Sequence, residues 1–272
     1  MTVQMDLESV SRLARDVRAG SATLGQREAR YLVDTYYQMQ GDRIRDHNQE
    51  RSLDESGEPN MVIGWLATQH EVLEKQIARA LSAYADAHPI GRWSQTIKGI
   101  GPIIAAGLLA HIDITKAPTA GHIWRYAGLD PTQKWEKGQI RPWNSKLKVL
   151  CWKAGESFVK VSGYEDDVYG KVYKARKEYE VARNDRGENA EIAKATLEAK
   201  KFRADTDAKK HLEGGKLPPA QLHARAKRYA VKLFLSHWQH VAWEIETGSP
   251  PPKPYIIAIG GHAHYIAPPN WK

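Results

Sequence analysis

The stretch KGIGPIIAAGLLAHI, residues 98–112, places two glycines around an isoleucine, followed by a proline and an apolar run. Glycine tolerates positive φ and close backbone approach because it has no Cβ. Proline is favoured at the first position of a helix. We therefore predict a tight turn at Gly99 and Gly101, then a helix over Ile103–Ile112 with Pro102 at its first position. The amides that begin such a helix form a site for anions.

A short helix through Trp93–Ile97 is predicted before this turn, which makes the pattern typical of a helix-hairpin-helix. This motif holds a DNA phosphate backbone without reading bases, so its contacts depend on salt. Lys98 beside the turn, and the apolar pair Ile97 and Ile100 that such a hairpin buries, favour this interpretation. The alternative is a plain corner between two packed helices.

Composition favours a folded, basic protein. The chain has 272 residues, of which 42% are hydrophobic and 26% charged, so one elongated domain or two modest ones are expected. Its mean hydropathy of -0.58 favours a well-solvated, extended shape. Lys and Arg exceed Asp and Glu by 8, and the sequence pI is about 9.4. This surface suits a polyanionic partner, although it would also serve solubility alone.

The single cysteine excludes an internal disulfide and a zinc site with several cysteines. Cys151 lies in the apolar patch KVLCWKA, which predicts a buried thiol. The N-terminal residues do not have the pattern of a secretory signal, and no apolar run approaches 18 residues. We therefore expect a cytoplasmic protein that does not enter a membrane.

Four regions are predicted along a mainly α chain. The first 90 residues show helical spacing over 6–19, 24–48 and 61–87, a polar linker over 49–60, and no strand alternation. The predicted regions are a helical arm that could dimerise the protein (1–90), a helix-hairpin-helix domain (91–163), a charged helical hairpin (164–216), and a covering helix over Ala220–Thr247 followed by an extended tail (217–272). A short strand is expected at Tyr255–Ile259 in that tail.

Basic and aromatic residues alternate in TQKWEKGQIRPWNSKLK, residues 132–148. A Gly-bearing turn there predicts a short β-hairpin, and a helix is predicted over Ser145–Val161. Cations and aromatic rings suit phosphates and stacked bases, whereas the alternative is that the tryptophans anchor a loop to the core. The candidate nucleic-acid-binding residues are Lys98, Gly99, Ile100, Gly101, Lys134, Trp135, Arg141, Trp143 and Lys146.

Four histidines could meet around a metal ion: His237, His240, His262 and His264. A spacing of three on a helix and of two on an extended segment is compatible with shared ligation. The alternative is ordinary packing or contact with phosphates, and we predict no metal site.

Four stretches occur in a distinctive order along the chain: IKGIGPIIAAGLLAHI, HIWRYAGLDP, GQIRPWNSKLKVLCWKAGESF and HARAKRYAVKLFLSHW. They resemble the C-terminal transposase domain of insertion-sequence transposases of the IS-one-ten and IS-one-sixteen type. The resemblance covers 93–158 well and the helix over 221–247 loosely. The hairpin followed by YAGLDP and a basic turn is more specific than the hairpin alone.

The resemblance implies a two-part active site. A RuvC-like N-terminal domain would supply four acids for a divalent metal, and a serine would attack DNA to form a covalent strand intermediate. The matching serine is Ser145, with Leu147 and Lys148 near the family's Leu-Arg pair, and Arg141 and Lys148 would stabilise the phosphate. The alternative role for Ser145 is to cap the helix it begins.

The chain departs from the family in its first 90 residues, which read as helices rather than as a sheet carrying acids. The RuvC-like DEDD domain is therefore predicted to be absent, and Asp6, Glu8, Asp34 and Asp42 are interpreted as solvated charges. Magnesium would be needed only where a partner supplies the acids, and no other cofactor is expected. Lys148 also stands where the family has Arg, and the alignment is offset by one residue.

The leading hypothesis is a transposase-like DNA-binding protein of a mobile element or phage that acts in recombination. One alternative is a serine-nucleophile strand-transfer enzyme whose metal acids come from another chain. The other is a structural or protein-binding module that retains a transposase-like fold. Expected partners are DNA, structured RNA as a further candidate, and a second copy of the chain.

Overall fold

The computed structural model describes residues 12–58, 60–203, 205–252 and 265–271. Within these ranges it contains eleven α-helices and no strand, so the mainly α fold is confirmed. The expected strand at Tyr255–Ile259 lies outside the described residues. None of the described helices is both long and apolar enough to cross a bilayer.

The chain forms two compact units. The first contains the residues up to Gln95 together with Gly101–Asp113, and the second contains Thr96–Ile100 together with the residues from Ile114 onward. The helices of the first unit are α1 (Arg15–Gly20), α2 (Gln26–Ser56), α3 (Met61–Ala87), α4 (Pro89–Gln95) and α5 (Pro102–His111).

The long helices α2 and α3 form an antiparallel pair in the first unit. α3 has the predicted bounds, and its N-cap Asn60 accepts a hydrogen bond from Val62 N at 3.0 Å. The predicted linker over 49–60 is wrong, because α2 continues to Ser56 and ends at Gly57 with φ of 75°. Most residues of that stretch are exposed, but they continue a helix that α3 stabilises by tertiary packing, which overrides weak local preference.

Helix α5 packs against both long helices and is almost entirely buried. Pro102 is its first residue, as predicted, and the helix ends one residue early, at His111. Two side chains of α2 bind carbonyls near its C-terminal end: Gln26 Nε2 donates to Leu109 O at 3.4 Å and Arg30 Nε to Ala110 O at 2.5 Å. These bonds satisfy carbonyls that a helix end leaves without intrahelical partners.

The second unit is built around its last helix. Its helices are α6 (Ala120–Tyr126), α7 (Ser145–Val161), α8 (Tyr169–Asp185), α9 (Ala190–Ala199), α10 (Asp207–Glu213) and α11 (Pro219–Thr247). α11 packs against α6, α7 and α8, as expected of a covering helix. The rings of Phe158, Tyr169 and Phe234 meet at centroid distances of 5.0–5.5 Å and form the centre of this core.

The helices of the charged region pack differently from the expected antiparallel hairpin. α8 packs mainly against α11 and α7, and α9 packs against α10. The tyrosines of α8 direct this arrangement, because Tyr169 and Tyr173 bond His237 and His223 of α11 at 2.6 and 2.7 Å. The apolar residues around α9 and α10 form a separate small cluster.

The predicted β-hairpin between α6 and α7 is wrong. Local hydrogen bonds from side chains hold this loop, instead of the backbone hydrogen bonds between two strands that a β-hairpin would have. Asp130 Oδ1 accepts from Thr132 N at 2.9 Å and from its hydroxyl at 2.7 Å. Trp135 Nε1 donates to Gln139 O at 2.7 Å. A Gly-bearing turn is present, with Gly138 at φ of 93°.

Candidate nucleic-acid interface

The loop over 130–144, which we call the basic turn, presents cations against aromatic rings. The Arg141 guanidinium lies over the Trp135 ring at 5.1 Å, and Lys148 Nζ, on the first turns of α7, lies over the Trp143 ring at 4.3 Å. Arg141 and Lys148 are exposed, and Lys134 is also exposed. The turn therefore offers the combination of positive charge and planar apolar surface that nucleic-acid strands bind.

The two tryptophans of the basic turn have different surroundings. Trp143 is half-buried and lies so close to Gly128, whose φ is 64°, that a Cβ there would be 2.8 Å from the indole. Trp135 is 39% exposed. Trp143 thus fits the anchoring alternative, while Trp135 has an accessible ring on which a base could stack.

Asn144, and not Ser145, caps α7. Its side-chain oxygen accepts from Leu147 N at 2.9 Å, and its backbone N donates to Tyr126 O at 2.8 Å. Ser145 is the first residue of the helix and is exposed, and in the described part of the chain its hydroxyl makes no hydrogen bond. The capping alternative for Ser145 is therefore wrong, and its hydroxyl stands accessible beside the helix N-terminus, where a negative charge is favoured.

Lys148 lies near two other cations, Arg141 and Arg228, and only Arg141 was predicted from the sequence to belong to the site. Although the residue is exposed as a whole, partial burial of its ammonium group lowers its pKa, and the positive charges of Arg228 and Arg141 lower it further. Arg228 belongs to α11 and was not predicted. On the same helix, Lys232 Nζ lies over the Trp124 ring at 4.1 Å. The spacing of Arg228 and Lys232 puts both on one face of a helix. This spacing is visible in the sequence, but only the apolar residues of α11 entered the prediction.

The glycine turn lies at the other end of α7 from Ser145. Gly99 has φ of 93°, and Ser157 Oγ donates to its carbonyl at 2.5 Å. Lys98 pairs with Asp166 at 3.2 Å. Twelve residues of helix separate Ser145 from Ser157, a length of about 18 Å. The structure therefore groups Arg141, Lys148 and Ser145 but leaves Lys98 and Gly99 apart from them.

The other residues predicted around the glycine turn and the start of α7 differ in their surroundings. Ile97 and Ile100 are each 3% exposed, so the expectation that this apolar pair is buried is confirmed. Gly101 has φ of -86°, and a Cβ there would meet no atom within 4 Å, so its backbone does not require glycine. Lys146 is exposed on the first turn of α7.

His237 uses both ring nitrogens within the protein. Nε2 donates to Ile266 O at 2.9 Å, and Nδ1 accepts from the Tyr169 hydroxyl at 2.6 Å. Burial lowers the pKa of this imidazole to about 4, so it is neutral at physiological pH. His240 Nδ1 lies 3.2 Å from the Tyr265 hydroxyl. His262 and His264 lie outside the described residues.

The described residues do not fit the divalent metal that the family resemblance implies. They include no group of three or more His, Cys, Asp or Glu side chains that could hold an ion. Asp34 and Asp42 both lie on α2, with no sheet to gather them; Asp6 and Glu8 fall outside the described residues. We therefore derive no chemical step through a metal on this chain.

Cys151 is 2% exposed, as predicted. Burial raises the pKa of its thiol to about 12. A thiol held so strongly in its protonated form is a poor nucleophile. Ser145 is therefore the better candidate for nucleophilic chemistry on α7.

Comparison with known families places a transposase segment in this chain. Residues 93–141 match the family described as Transposase IS116/IS110/IS902 family. The matched stretch contains the glycine turn, α5, α6 and most of the basic turn, and it supports an IS110-type transposase domain, in agreement with the sequence resemblance. The match supports a transposase-like role. No curated protein and no solved structure matches the chain significantly.

Proposed function

We propose that this protein binds DNA through the basic turn and the start of α7, as a transposase-like protein of a mobile element. The observation that carries this proposal is the stacking of Arg141 on Trp135 within the segment that matches the transposase family. A cation above an exposed ring can contact a phosphate while the ring receives a base. Phosphate contacts of this kind position a protein without specifying sequence.

Binding should show strong salt dependence. Each phosphate contact releases counterions, so the affinity falls steeply as salt rises. We would measure native gel shifts of labelled duplex, branched DNA and structured RNA at 50 and 200 mM salt. Arg141→Gln and Trp135→Ala should each weaken the shift, about tenfold at the lower salt.

Lys216→Gln is the matched control, because it removes one positive charge from a lysine that already pairs with Asp185 at 2.8 Å. It should leave the shift within about twofold of the wild type. Equal weakening by Lys216→Gln and Arg141→Gln would mean that net charge, and not the basic turn, determines binding. Absence of any shift would contradict the proposal.

A second candidate function, strand transfer by a serine nucleophile, is favoured by the exposed Ser145 hydroxyl beside Lys148. In that reaction, Ser145 Oγ forms a bond to phosphorus while the bond from phosphorus to the departing sugar oxygen breaks, and the serine proton leaves with that oxygen. Lys148 and Arg141 would stabilise the charge on the phosphate.

This candidate predicts a protein-linked strand. Labelled duplex and branched DNA would be incubated with magnesium and resolved on denaturing gels. An adduct that Ser145→Ala abolishes, and that persists in Lys216→Gln, supports the enzyme. Gel shifts without an adduct would leave a binding protein.

A further inference from the structure

Most cations near the junction of α8 and α11 are matched with carboxylates. Glu180, which is 2% exposed, accepts from Arg176 Nη2 at 2.5 Å and pairs with Arg225 at 3.4 Å. Lys227 pairs with Glu156. Arg183 pairs with Glu188 at 2.7 Å. Pairing of this kind is the ordinary arrangement for charges that are partly removed from water.

Three cations on the neighbouring face lack such partners. Lys148 on α7 and Arg228 and Lys232 on α11 form no ion pair in the described part of the chain; we call these three residues the cationic row. The two carboxylates that face the row are engaged elsewhere. Asp130 accepts both hydrogen bonds from Thr132, and Glu180 is bound by Arg176 and Arg225 as described above.

The positive charge of Arg228 acts on both lysines of the row. Arg228 lowers the pKa of Lys148 and of Lys232, in each case after the larger effect of partial burial, while the Asp130 carboxylate raises the pKa of Lys232. The pKa of Arg228 is itself lowered, by burial first and then by Arg225. A positive charge that lowers the pKa of neighbouring lysines disfavours their charged form in the absence of an anion. A bound anion would relieve this repulsion.

Aromatic rings hold the two lysines of the row in place. Lys232 Nζ lies over Trp124, whose Nε1 donates to the Lys232 carbonyl at 3.0 Å. Lys148 lies over Trp143. These contacts orient the two ammonium groups without neutralising them, so both lysines are pre-ordered and their charge remains available to a ligand.

We propose that Lys148, Arg228 and Lys232 form a subsite for a phosphate group, and that its ligand is a phosphodiester of the nucleic-acid strand that reaches Ser145. The argument for a phosphate ligand depends on the three cations of the row, whereas the assignment of that phosphate to a nucleic-acid backbone rests on the proposed function. Lysine ammonium groups and a guanidinium are the usual protein partners of phosphate oxygens. The subsite extends the interface from the basic turn onto α11.

The test compares Arg228→Gln/Lys232→Gln with the control Lys216→Gln/Lys210→Gln, which removes the same net charge from residues that pair with Asp185 and Asp207. Dissociation constants for labelled duplex would be measured between 50 and 200 mM salt. Loss of the row should weaken binding about a hundredfold at the lower salt and reduce the slope of log K against log salt by about 2. The control should keep the wild-type slope.

The outcomes separate the subsite from the proposed function. A wild-type slope in Arg228→Gln/Lys232→Gln would overturn the subsite while leaving DNA binding by the basic turn intact. Failure of the wild type to bind any nucleic acid would overturn the proposed function. Calorimetry with inorganic pyrophosphate then tests the row alone. Pyrophosphate binding that is lost in Arg228→Gln/Lys232→Gln identifies a site for free phosphates. Absence of pyrophosphate binding to the wild type overturns the subsite.

Discussion

In the α2–α3 pair, each buried carboxylate has a partner on the other helix, whereas the cationic row on α7 and α11 has no carboxylate partner among the residues that the structure describes. Glu74, which is 8% exposed, accepts from Arg43 Nε at 2.6 Å and from Gln40 at 3.1 Å. Asp46, which is 5% exposed, bonds His70 Nδ1 at 2.6 Å. Charges paired in this way specify which residues of the two helices face each other. Unpaired cations instead leave free energy to be gained when an anion binds.

The pairing also separates a structural region from the region that we propose binds nucleic acid. Both regions contain arginine, carboxylates and aromatic rings. What differs is whether each polar group finds its partner inside the chain. The following experiments test this distinction, in order of decreasing effect.

The largest effect is expected from His237, whose two ring nitrogens are both satisfied only when the ring is neutral. Its folded-state pKa is about 4, below the usual 6.5, so the unfolded chain binds more protons between these values. Stability from this group is complete above pH 6.5 and falls as the pH drops toward 4, by about 3 kcal/mol in total. Urea unfolding of the wild type and His237→Gln between pH 4 and 7 measures it.

His237→Gln should lose much less of its stability over this range, since glutamine can donate to Ile266 O and accept from Tyr169 without titrating. Parallel pH profiles for the two proteins would show that the imidazole does not control the acid sensitivity.

The next effect concerns the α2–α3 pair. Arg43→Met would leave Glu74 buried without its cation, which should cost about 2 kcal/mol. Although burial raises the pKa of Glu74, the bonds from Arg43 and Gln40 outweigh it and hold the pKa below its usual range. Stability would be measured by urea unfolding at pH 7. Arg51→Met, on the exposed surface of the same helix, is the control and should change stability by less than about 0.5 kcal/mol.

A loss in Arg43→Met no larger than that in Arg51→Met would mean that Gln40 suffices for the buried carboxylate. The distinction between the two regions would then rest on hydrogen bonds and not on charge pairing.

A smaller effect distinguishes two adjacent residues at the start of α7. Asn144→Ala removes the cap and should cost about 1 kcal/mol. Ser145→Ala removes a hydroxyl without an internal partner and should change stability by less than about 0.5 kcal/mol. Thermal unfolding of both variants measures the difference. Equal losses would place Ser145 among the structural residues and weaken its candidacy as a nucleophile.

The smallest expected effects are changes in the free energy of unfolding that have opposite signs at two adjacent positions of α11. Arg228→Met removes repulsion and should stabilise the protein by about 0.3 kcal/mol, an effect that added salt reduces. Lys227→Met leaves Glu156 without its cation and should destabilise by about 0.5 kcal/mol. Urea midpoints at 20 and 500 mM salt would reveal both signs. Destabilisation by Arg228→Met at low salt would contradict the view that the row is unpaired.

Much of the fold could be predicted because helical periodicity is a local property. The bounds of α3 and α7 follow directly from apolar spacing and from the cap and breaker residues around them. The extension of α2 to Ser56 could not be predicted in this way, since its polar last turns depend on packing against α3. The β-hairpin failed for a related reason: the side chains of Asp130 and Trp135 satisfy the loop backbone and leave no ladder.

The site was predictable in its local parts only. Arg141, Lys148 and Ser145 lie close together in sequence, and the structure keeps them together. Arg228 comes 80 positions after Lys148 and reaches it only because α11 packs on α7. Conversely, the sequence predicted that Lys98 and the basic turn contact nucleic acid at one site, whereas in the structure they lie at opposite ends of α7. Distances across a fold depend on tertiary packing, which spacing along the chain does not encode.

The length of α7 sets a scale for any duplex that lies along it. The separation of about 18 Å between Ser145 and Ser157 corresponds to about five base pairs at a rise of about 3.4 Å per pair. Lys98, beside the glycine turn, would then meet the backbone about half a helical turn away from the cationic row. Hydroxyl-radical cleavage of bound DNA should accordingly show two protected patches on the face of the duplex that meets α7, with an accessible stretch between them.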